Sequence, residues 1–381
     1  MSSHLLVTND FPPKVGGIQS YLWELWSRLE PSTTAVLTAR SHREHESFDR
    51  DQAARGLRVS RVRGRILFFP TPMALRRIRR ACAETKPDLV LLDPVWPLGL
   101  LGPRIGIPYG VILHGAEIAI PARIPLVRRG LAKVLRGASV VVSAGGYPAR
   151  EAEKLVGSPL PNVVEVPPGV ECGRFERIEG ADRAATRVRL GLPAQGPLVV
   201  SVSRLVRRKG MDVLIEAARR LRDGHPDVTV AIAGSGRDAG RLKRLVAKTG
   251  APVAMLGRVS ESDKAALLGV ADVFVMACRN RWGGLEQEGF GIVFLEAAAA
   301  GVPQVAGESG GAAEAVADQE TGFVVGRPQE PAEVTSAIDR LLSDDSLRSR
   351  MGSASRERAV ACFDYGSLAP RLAEALAQVG G

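Results

Sequence analysis

Glu288-Gly289-Phe290-Gly291-Ile292-Val293-Phe294-Leu295-Glu296, within a longer stretch from Arg279 to Gly311, is the run that decides how this chain is read. Two carboxylates eight positions apart enclose a glycine-flanked turn and an apolar run. The pattern predicts a loop ending at Gly289 or Gly291, then a buried helix from about Ile292 to Ala300. Gly301 caps that helix and Pro303 stops it restarting. The N–H groups at its start point the same way as its dipole, which makes an anion site. Glu288 before the helix and Glu296 within it would face the bound group. Acceptor-only carboxylates beside an anion site suit a phosphorylated, hydroxyl-rich ligand such as a nucleotide-sugar. A capped core helix with surface glutamates is the plainer reading, and spacing alone leaves both open.

Upstream, the same grammar repeats. Leu198–Ser203 reads as a strand, followed by Arg204-Leu205-Val206-Arg207-Arg208-Lys209-Gly210 and a helix from Met211. Arg204 and Lys209 would set two fixed cations at the strand's carboxyl end, as a diphosphate leaving group requires. Val228–Ala233 with Gly234-Ser235-Gly236, Val253–Leu256 with Gly257-Arg258-Val259-Ser260, Asp272–Met276 and Gly322–Val325 read as further strands. Helices to about Ala361 and a last helix from Tyr365 to Val379 close the chain.

The front half alternates in the same way. His4 to Asn9 is a buried first strand, and a loop through Val15, Gly16 and Gly17 leads to helical spacing from Ile18 to Leu29. A strand, a Gly-Gly turn and a helix start form the phosphate-facing element of doubly wound sheets, although the GxGxxG fingerprint is absent. Gly16 and Gly17 would let backbone approach a ligand. Strands are expected at Ala35–Thr38, Val59–Val62, Leu89–Leu92, Gly110–Leu113, Val140–Ser143 and Val163–Val166. His114 follows one of them, where a polar side chain points into a ligand crevice. His42, His45 and His225 fall in loops. Two α/β halves joined by a linker near Pro168 to Arg177 predict a crevice between them and catalysis on closure.

The length suits two or three domains. Four scattered cysteines (Cys82, Cys172, Cys278, Cys362) without a CxxC pair argue against a disulfide framework or zinc site and for a reducing compartment. Met1-Ser2-Ser3 runs directly into a strand, which predicts no secretory leader, and no apolar stretch is long enough to span a bilayer. The formal net charge is +10. Between Arg40 and Arg136 stand 19 Lys/Arg against 8 Asp/Glu, a local net of +11, so the remainder is near neutral. This field implies an acidic partner. An anionic membrane surface fits better than nucleic acid, since no nucleic-acid motif accompanies the charge. Pro72 to Thr85, with Arg76, Arg77, Arg79 and Arg80, and Ile124 to Leu135, with Arg128, Arg129 and Lys133, have basic amphipathic patterns. For each, a half-buried sheet-covering helix with a solvated polar face is the commoner reading. Asp49-Arg50-Asp51 has the DxD form of metal-dependent transferases, but its polar loop lies far from any strand-end loop, so no metal is expected.

Glu288 and Glu296 resemble the E-x7-E element of retaining GT-B glycosyltransferases of family 4. Ser203-Arg204-Leu205…Lys209-Gly210 resembles their arginine-lysine diphosphate loop. Gly16-Gly17, His114-Gly115, Pro168-Gly169-Val170 and Gly310-Gly311 fall where that family has its motifs. More narrowly, Thr8 to Leu22 and Ala277 to Glu296 resemble the actinobacterial PimB-prime group of phosphatidylinositol monomannoside mannosyltransferases. The resemblance implies an α/β fold of two Rossmann-like domains facing each other across a cleft. These would be residues 1–170, facing acceptor and membrane, and 171–362, binding the nucleotide-sugar. A helix in 363–381 would return to the first domain. It also implies transfer of mannose from GDP-mannose, with retention, to the inositol 6-hydroxyl of the lipid acceptor. The enzyme would be cytoplasmic, on the inner face of the plasma membrane, with no cofactor or metal.

By resemblance, Glu288 would hold mannose hydroxyls and Glu296 the ribose. Arg204 and Lys209 would neutralise the leaving diphosphate. The N–H groups of Gly289, Phe290 and Gly291 would hold sugar and phosphate. Gly16 and Gly17 would approach the diphosphate, and His114 the sugar. Gly257, Arg258 and Val259 would frame the base, with Ser260 and Asp263 as guanine partners. Leu113 replaces a family threonine before His114, and the loop 280–287, with Trp282, could tune the acceptor. Another nucleotide-sugar or acceptor is the alternative. Further off are a nucleotide-sugar epimerase, with Asp10 and Glu117 as its spare carboxylates, and a non-catalytic sugar-nucleotide or lipid-binding protein.

Overall fold

The computed structural model describes residues 3–379, apart from Val15, residues 41–43 and 63–68, Ile120, Pro161 and Leu285. The expectations that touch Val15, His42 and Leu285 lie outside the described residues. The chain divides into two compact units: Met1–Pro168 with Tyr365–Gly381, and Gly169–Asp364.

The first unit is built on seven strands: β1 (His4–Thr8), β2 (Thr34–Ala39), β3 (Arg58–Val62), β4 (Leu89–Asp93), β5 (Tyr109–Leu113), β6 (Val140–Ser143) and β7 (Val163–Glu165). They pair in the order β3-β2-β1-β4-β5-β6-β7. Every pairing is parallel, Val7 for instance facing Leu37 on one side and Leu92 on the other. The strands are near-continuous apolar runs because both faces are covered. Leu5 and Val7 join a core with Ile78, Leu131 and Leu135. Leu6, one residue out of phase, joins the opposite core with Leu22, Leu25 and Trp26. The C-terminal helix Tyr365–Val379 belongs to that second core through Leu368, Leu372 and Leu376.

The basic helices Pro72–Thr85 and Pro125–Gly137 cover the same sheet face, since Ile78 of one and Leu131 and Leu135 of the other share a cluster. Each follows a strand's carboxyl end, so both helix starts lie along that edge of the sheet. There the apolar side chains stay in water: Phe69 is 68% and Leu126 78% exposed, with Met73 and Ile124 also exposed. Among the described residues, no helix is long and apolar enough to cross a membrane.

The second unit carries β8 (Leu198–Val202), β9 (Thr229–Ala233), β10 (Val253–Gly257), β11 (Val273–Met276), β12 (Gln304–Gly307) and β13 (Gly322–Val325). All are parallel in the order β10-β9-β8-β11-β12-β13. The sequence reading missed β12. Gln304-Val305-Ala306-Gly307 is only four residues long and follows a proline, so it has no periodicity of its own and is identified by pairing on both sides. The helix foreseen after Gly291 runs Ile292–Ala299, and Gly301 behind it has φ +69°.

Candidate active site

In a parallel sheet all carboxyl ends share one edge, and a ligand crevice opens where neighbouring strands send their connections in opposite directions. In the second unit that point lies between β8 and β11. The loop Ser203–Gly210 leaves β8 there, and the segment Ala277–Gly291 leaves β11. Backbone hydrogen bonds fasten the loops together. Arg279 N donates to Arg208 O (2.9 Å), and Leu205 N donates to Ser235 O of the glycine turn after β9 (2.9 Å).

Lys209 and Glu288 meet at this switch point. The Lys209 ammonium lies 2.7 Å from Glu288 Oε2, and both side chains are almost wholly buried. The Arg208 guanidinium stands 3.5 Å from the same oxygen and 3.7 Å from Glu286. Cys278 adds a thiol 3.8 Å from Glu288. Burial, and next the Glu288 charge, push that thiol up, so it stays protonated and donates. Glu288 is fixed from behind: its N–H donates to Ser309 Oγ (3.1 Å), which donates in turn to Asn280 Oδ1 (2.8 Å). Gly310 and Gly311 lie so close that an added Cβ would sit 2.0 Å from Glu288 O and 2.1 Å from Gly289 O. The Gly-Gly of this motif is therefore a packing requirement of the glutamate loop. Among the described residues, the N–H groups of Gly289, Phe290 and Gly291 have no hydrogen-bond partner.

Arg204 lies on the same β8 loop but is exposed, with no side-chain partner among the described residues. Of the two foreseen cations, one is thus held against the carboxylate and one is free. Glu296 forms a second group. It accepts from Lys264 at 2.7 Å, and Lys264 also pairs with Glu261 at 2.8 Å. Burial raises the Glu296 carboxyl, and Lys264 opposes that rise. Lys264 belongs to the helix Glu261–Gly269, which starts just after Gly257, Arg258 and Val259 at the end of β10. Gly257 and Arg258 are exposed and Val259 packs on the core. Ser260 and Asp263 both have partners within the chain. Ser260 Oγ caps that helix by accepting from Asp263 N (3.0 Å), and the Asp263 carboxylate pairs with Arg189 at 2.6 Å.

The first unit has its own switch point, between β1 and β4. Asp93 at the end of β4 accepts from Thr8 Oγ1 (2.5 Å) and lies 2.6 Å from His114 Nε2. His114 N and Gly115 N both donate to Glu117 Oε1, at 2.5 and 3.1 Å. The Tyr21 ring meets the imidazole edge-on at 5.6 Å, with its hydroxyl tied to Val166 O (2.7 Å). Burial alone would lower the imidazole pKa. The Asp93 charge and hydrogen bond reverse that and hold it at about 9, so His114 is a cation at neutral pH. Asp10 is bound by Lys14 (2.5 Å) and by Gln19. A Cβ on Gly16 would strike Gln19 Oε1 at 2.2 Å, whereas among the described residues nothing lies within 4 Å of a Cβ added at Gly17. Asp49 of the DxD-like triplet is committed to Arg61, whose Nε lies 2.7 Å from Oδ2.

Asp93, Lys264 and Arg208 were not read from the sequence. Asp93 carried a usable signal, a polar residue closing an apolar strand, which is the rule that singled out His114. Lys264 carried none, because it is one lysine in an ordinary amphipathic helix.

Two parallel-sheet α/β units, each with polar groups gathered at its switch point, are a ligand-binding architecture whose class the family matches supply. Residues 182–358 match the family described as "Glycosyl transferases group 1", and residues 16–169 match "Glycosyl transferase 4-like domain". The chain belongs to this glycosyltransferase family. Among curated relatives, it is 38% identical over 98% of its length, and 97% of the relative's, to a protein of Mycolicibacterium smegmatis. That protein is named GDP-mannose-dependent alpha-(1-6)-phosphatidylinositol monomannoside mannosyltransferase. It is 34% identical over 98% of its length, and 97% of the relative's, to a Corynebacterium glutamicum protein named for the monoacylated acceptor. Among solved structures, the Anabaena protein Alr3699/HepE in complex with UDP superposes with a TM-score of 0.81, covering 99% and 100% of the two chains at 21% identity. That likeness establishes the shared two-domain GT-B fold.

Proposed function

We propose that this chain transfers mannose, with retention, from GDP-mannose to an inositol hydroxyl of a phosphatidylinositol monomannoside, forming an α-1,6 linkage. The observation that carries the reaction type is the buried Lys209–Glu288 contact at the β8/β11 switch point, with Arg204 unpaired on the same loop. Fixed positive charge stands there beside a carboxylate acceptor. The guanosine, mannose and lipid acceptor rest on the activities for which the full-length relatives are named.

The donor diphosphate takes over Lys209 from Glu288 and recruits Arg204. Glu288 then accepts from sugar hydroxyls, the N–H groups of Gly289, Phe290 and Gly291 receive sugar and phosphate oxygens, and Glu296 accepts from the ribose. His114, held cationic by Asp93, donates to a sugar oxygen. As the bond to the diphosphate breaks, its oxygen takes the acceptor's proton on the same face, and the cations stabilise the developing charge. This reading assigns that charge to Arg204 and Lys209, so turnover should survive EDTA.

The lipid acceptor is met at an anionic surface. Arg76 and Arg77 make no ion pair among the described residues, and the exposed Phe69, Met73, Ile124 and Leu126 lie along the same edge as His114. The enzyme would act as a peripheral protein on the cytoplasmic face of the membrane.

The test is incubation of the protein with labelled GDP-mannose, UDP-glucose and lipid acceptors. Lipid-linked mannose from GDP-mannose alone is expected. Transfer from UDP-glucose would overturn the donor assignment, free epimerised sugar would indicate an epimerase, and no turnover would sink the reading. Replacing Arg76, Arg77, Arg79 and Arg80 by Gln should weaken binding to phosphatidylinositol vesicles, most at low salt, at about 1 kcal/mol per charge. Unchanged vesicle binding would remove the membrane contact.

A further inference from the structure

A cavity of about 560 Å³ opens in the second unit between the β8 loop, the start of the helix Ala239–Thr249 and the segment after β11. Its lining is dominated by guanidinium groups, from Arg207, Arg237, Arg241, Arg244 and Arg281, with the indole of Trp282 at the rim. One carboxylate, Asp238, lines it and is already taken: Arg241 binds it through two hydrogen bonds of 2.7 Å, which hold the Asp238 carboxyl below its usual range. Glu286, adjoining, is shared among Arg281 at 2.6 Å, Arg237 at 3.7 Å and Arg208 of the donor cluster, also at 3.7 Å. Arg207 and Arg244 have no hydrogen bond or ion pair from their side chains among the described residues. Gly240, at the second position of the Ala239–Thr249 helix, also lines the cavity, so the positive end of a three-turn helix faces it.

Like charges in one concavity repel one another, and here the carboxylates answer only part of the charge. Guanidinium forks match the oxygens of a phosphate group, and the volume suits a phosphorylated ring. Trp282 is 65% exposed, and the Arg281 guanidinium lies over its ring, 4.5 Å from the centroid, so an indole and a cation meet at the rim. None of the groups assigned to the donor lines this cavity.

We propose that this pocket is a second anion site, separate from the groups assigned to the donor, that takes a phosphate group. Its ligand is either a lipid headgroup phosphodiester or free phosphate. The site rests on this geometry and does not depend on the identity of the sugar donor.

The test is calorimetric titration of the full-length protein, first saturated with GDP, with glycerophosphoinositol as the headgroup probe and with inorganic phosphate. The variant is Arg237→Gln/Arg244→Gln, chosen because neither side chain belongs to the donor cluster. Binding of at least one probe is expected, at least tenfold weaker in the variant, while the affinity for GDP stays within twofold. Arg244→Lys should fall between, since it keeps charge and loses the fork. Binding should also change tryptophan fluorescence, and Trp282→Leu should abolish that change. Preference for glycerophosphoinositol would assign the site to a lipid headgroup, and preference for inorganic phosphate to the free anion. Failure of both probes to bind, or equal binding by the variant, would overturn the proposal. Loss of GDP binding in the variant would likewise overturn it, by merging the pocket with the donor site.

Discussion

At the carboxyl edge of the first sheet, both Asp93 oxygens are engaged, one by Thr8 Oγ1 and one by His114 Nε2; at the edge of the second, Arg204 and Arg258 are exposed and their side chains have no partner among the described residues. The first arrangement is a closed network that fixes one imidazole in one protonation state. The second is an open one, in which Lys209 is parked on Glu288 and other cations wait unpaired. A closed network orients a group, whereas an open one binds a charge that arrives later. On the proposed function, the first edge would position a group and the second would neutralise a leaving diphosphate.

Lys209→Ala should break the contrast most severely. Removing one preorganised donor to developing charge lowers turnover by about 10²–10³. It also removes the nearer of two cations from the buried Glu288 carboxylate; Arg208 remains 3.5 Å away, so the loss of stability should stay below the value of about 3–5 kcal/mol for a buried charge left unpaired. Turnover per folded molecule, with urea melts alongside, separates the two effects, and near-normal turnover would remove Lys209 from the chemistry. Arg204→Ala should lower turnover by about tenfold to a hundredfold with unchanged stability, because its side chain is exposed and has no partner to abandon. A matching loss of stability would show that Arg204 is structural.

Asp93→Asn should open the closed network. Without the carboxylate, burial dominates, and the His114 pKa should drop from about 9 to below 6.5. An NMR titration of the imidazole reads this directly, and a pKa left near 9 would mean that another group holds the proton. The raised folded-state pKa also fixes the sign of the pH dependence. The stabilisation from His114 is fully present below about pH 6.5 and is lost as the pH rises through 9. Urea midpoints should accordingly fall between pH 7 and 10 in the wild type and much less in Asp93→Asn. The smallest effect is expected from Glu296→Gln, which keeps the shape, loses the Lys264 ion pair and weakens one ribose contact. A severalfold rise in the KM for the donor with kcat nearly unchanged is the expected result, and a collapse of kcat would place Glu296 at the reacting centre.

The second edge was largely legible because its parts lie in two short runs, Arg204–Lys209 directly after β8 and Glu288–Glu296 at the start of the helix Ile292–Ala299. Motif, strand and helix start are local there, and local spacing reports them. The first edge was legible only in fragments. Thr8 and Asp93 close β1 and β4 and His114 follows β5, 85 and 21 positions apart, and only pairing of β1, β4 and β5 brings them together. Lys264 illustrates the same limit, because its partner Glu296 lies 32 positions away on another helix.

The amino-acid order by itself determined the alternation of strand and helix, nearly all the strands, the helix from Ile292 and the identity of the cations and carboxylates that follow them. Those are properties of neighbours along the chain, set by periodicity and by turn and capping chemistry. Tertiary structure decided β12, the choice of Lys209 rather than Arg204 as the partner of Glu288, and the cationic state of His114. Each of these depends on desolvation and on contacts between residues distant in sequence, which exist only once the sheets have assembled.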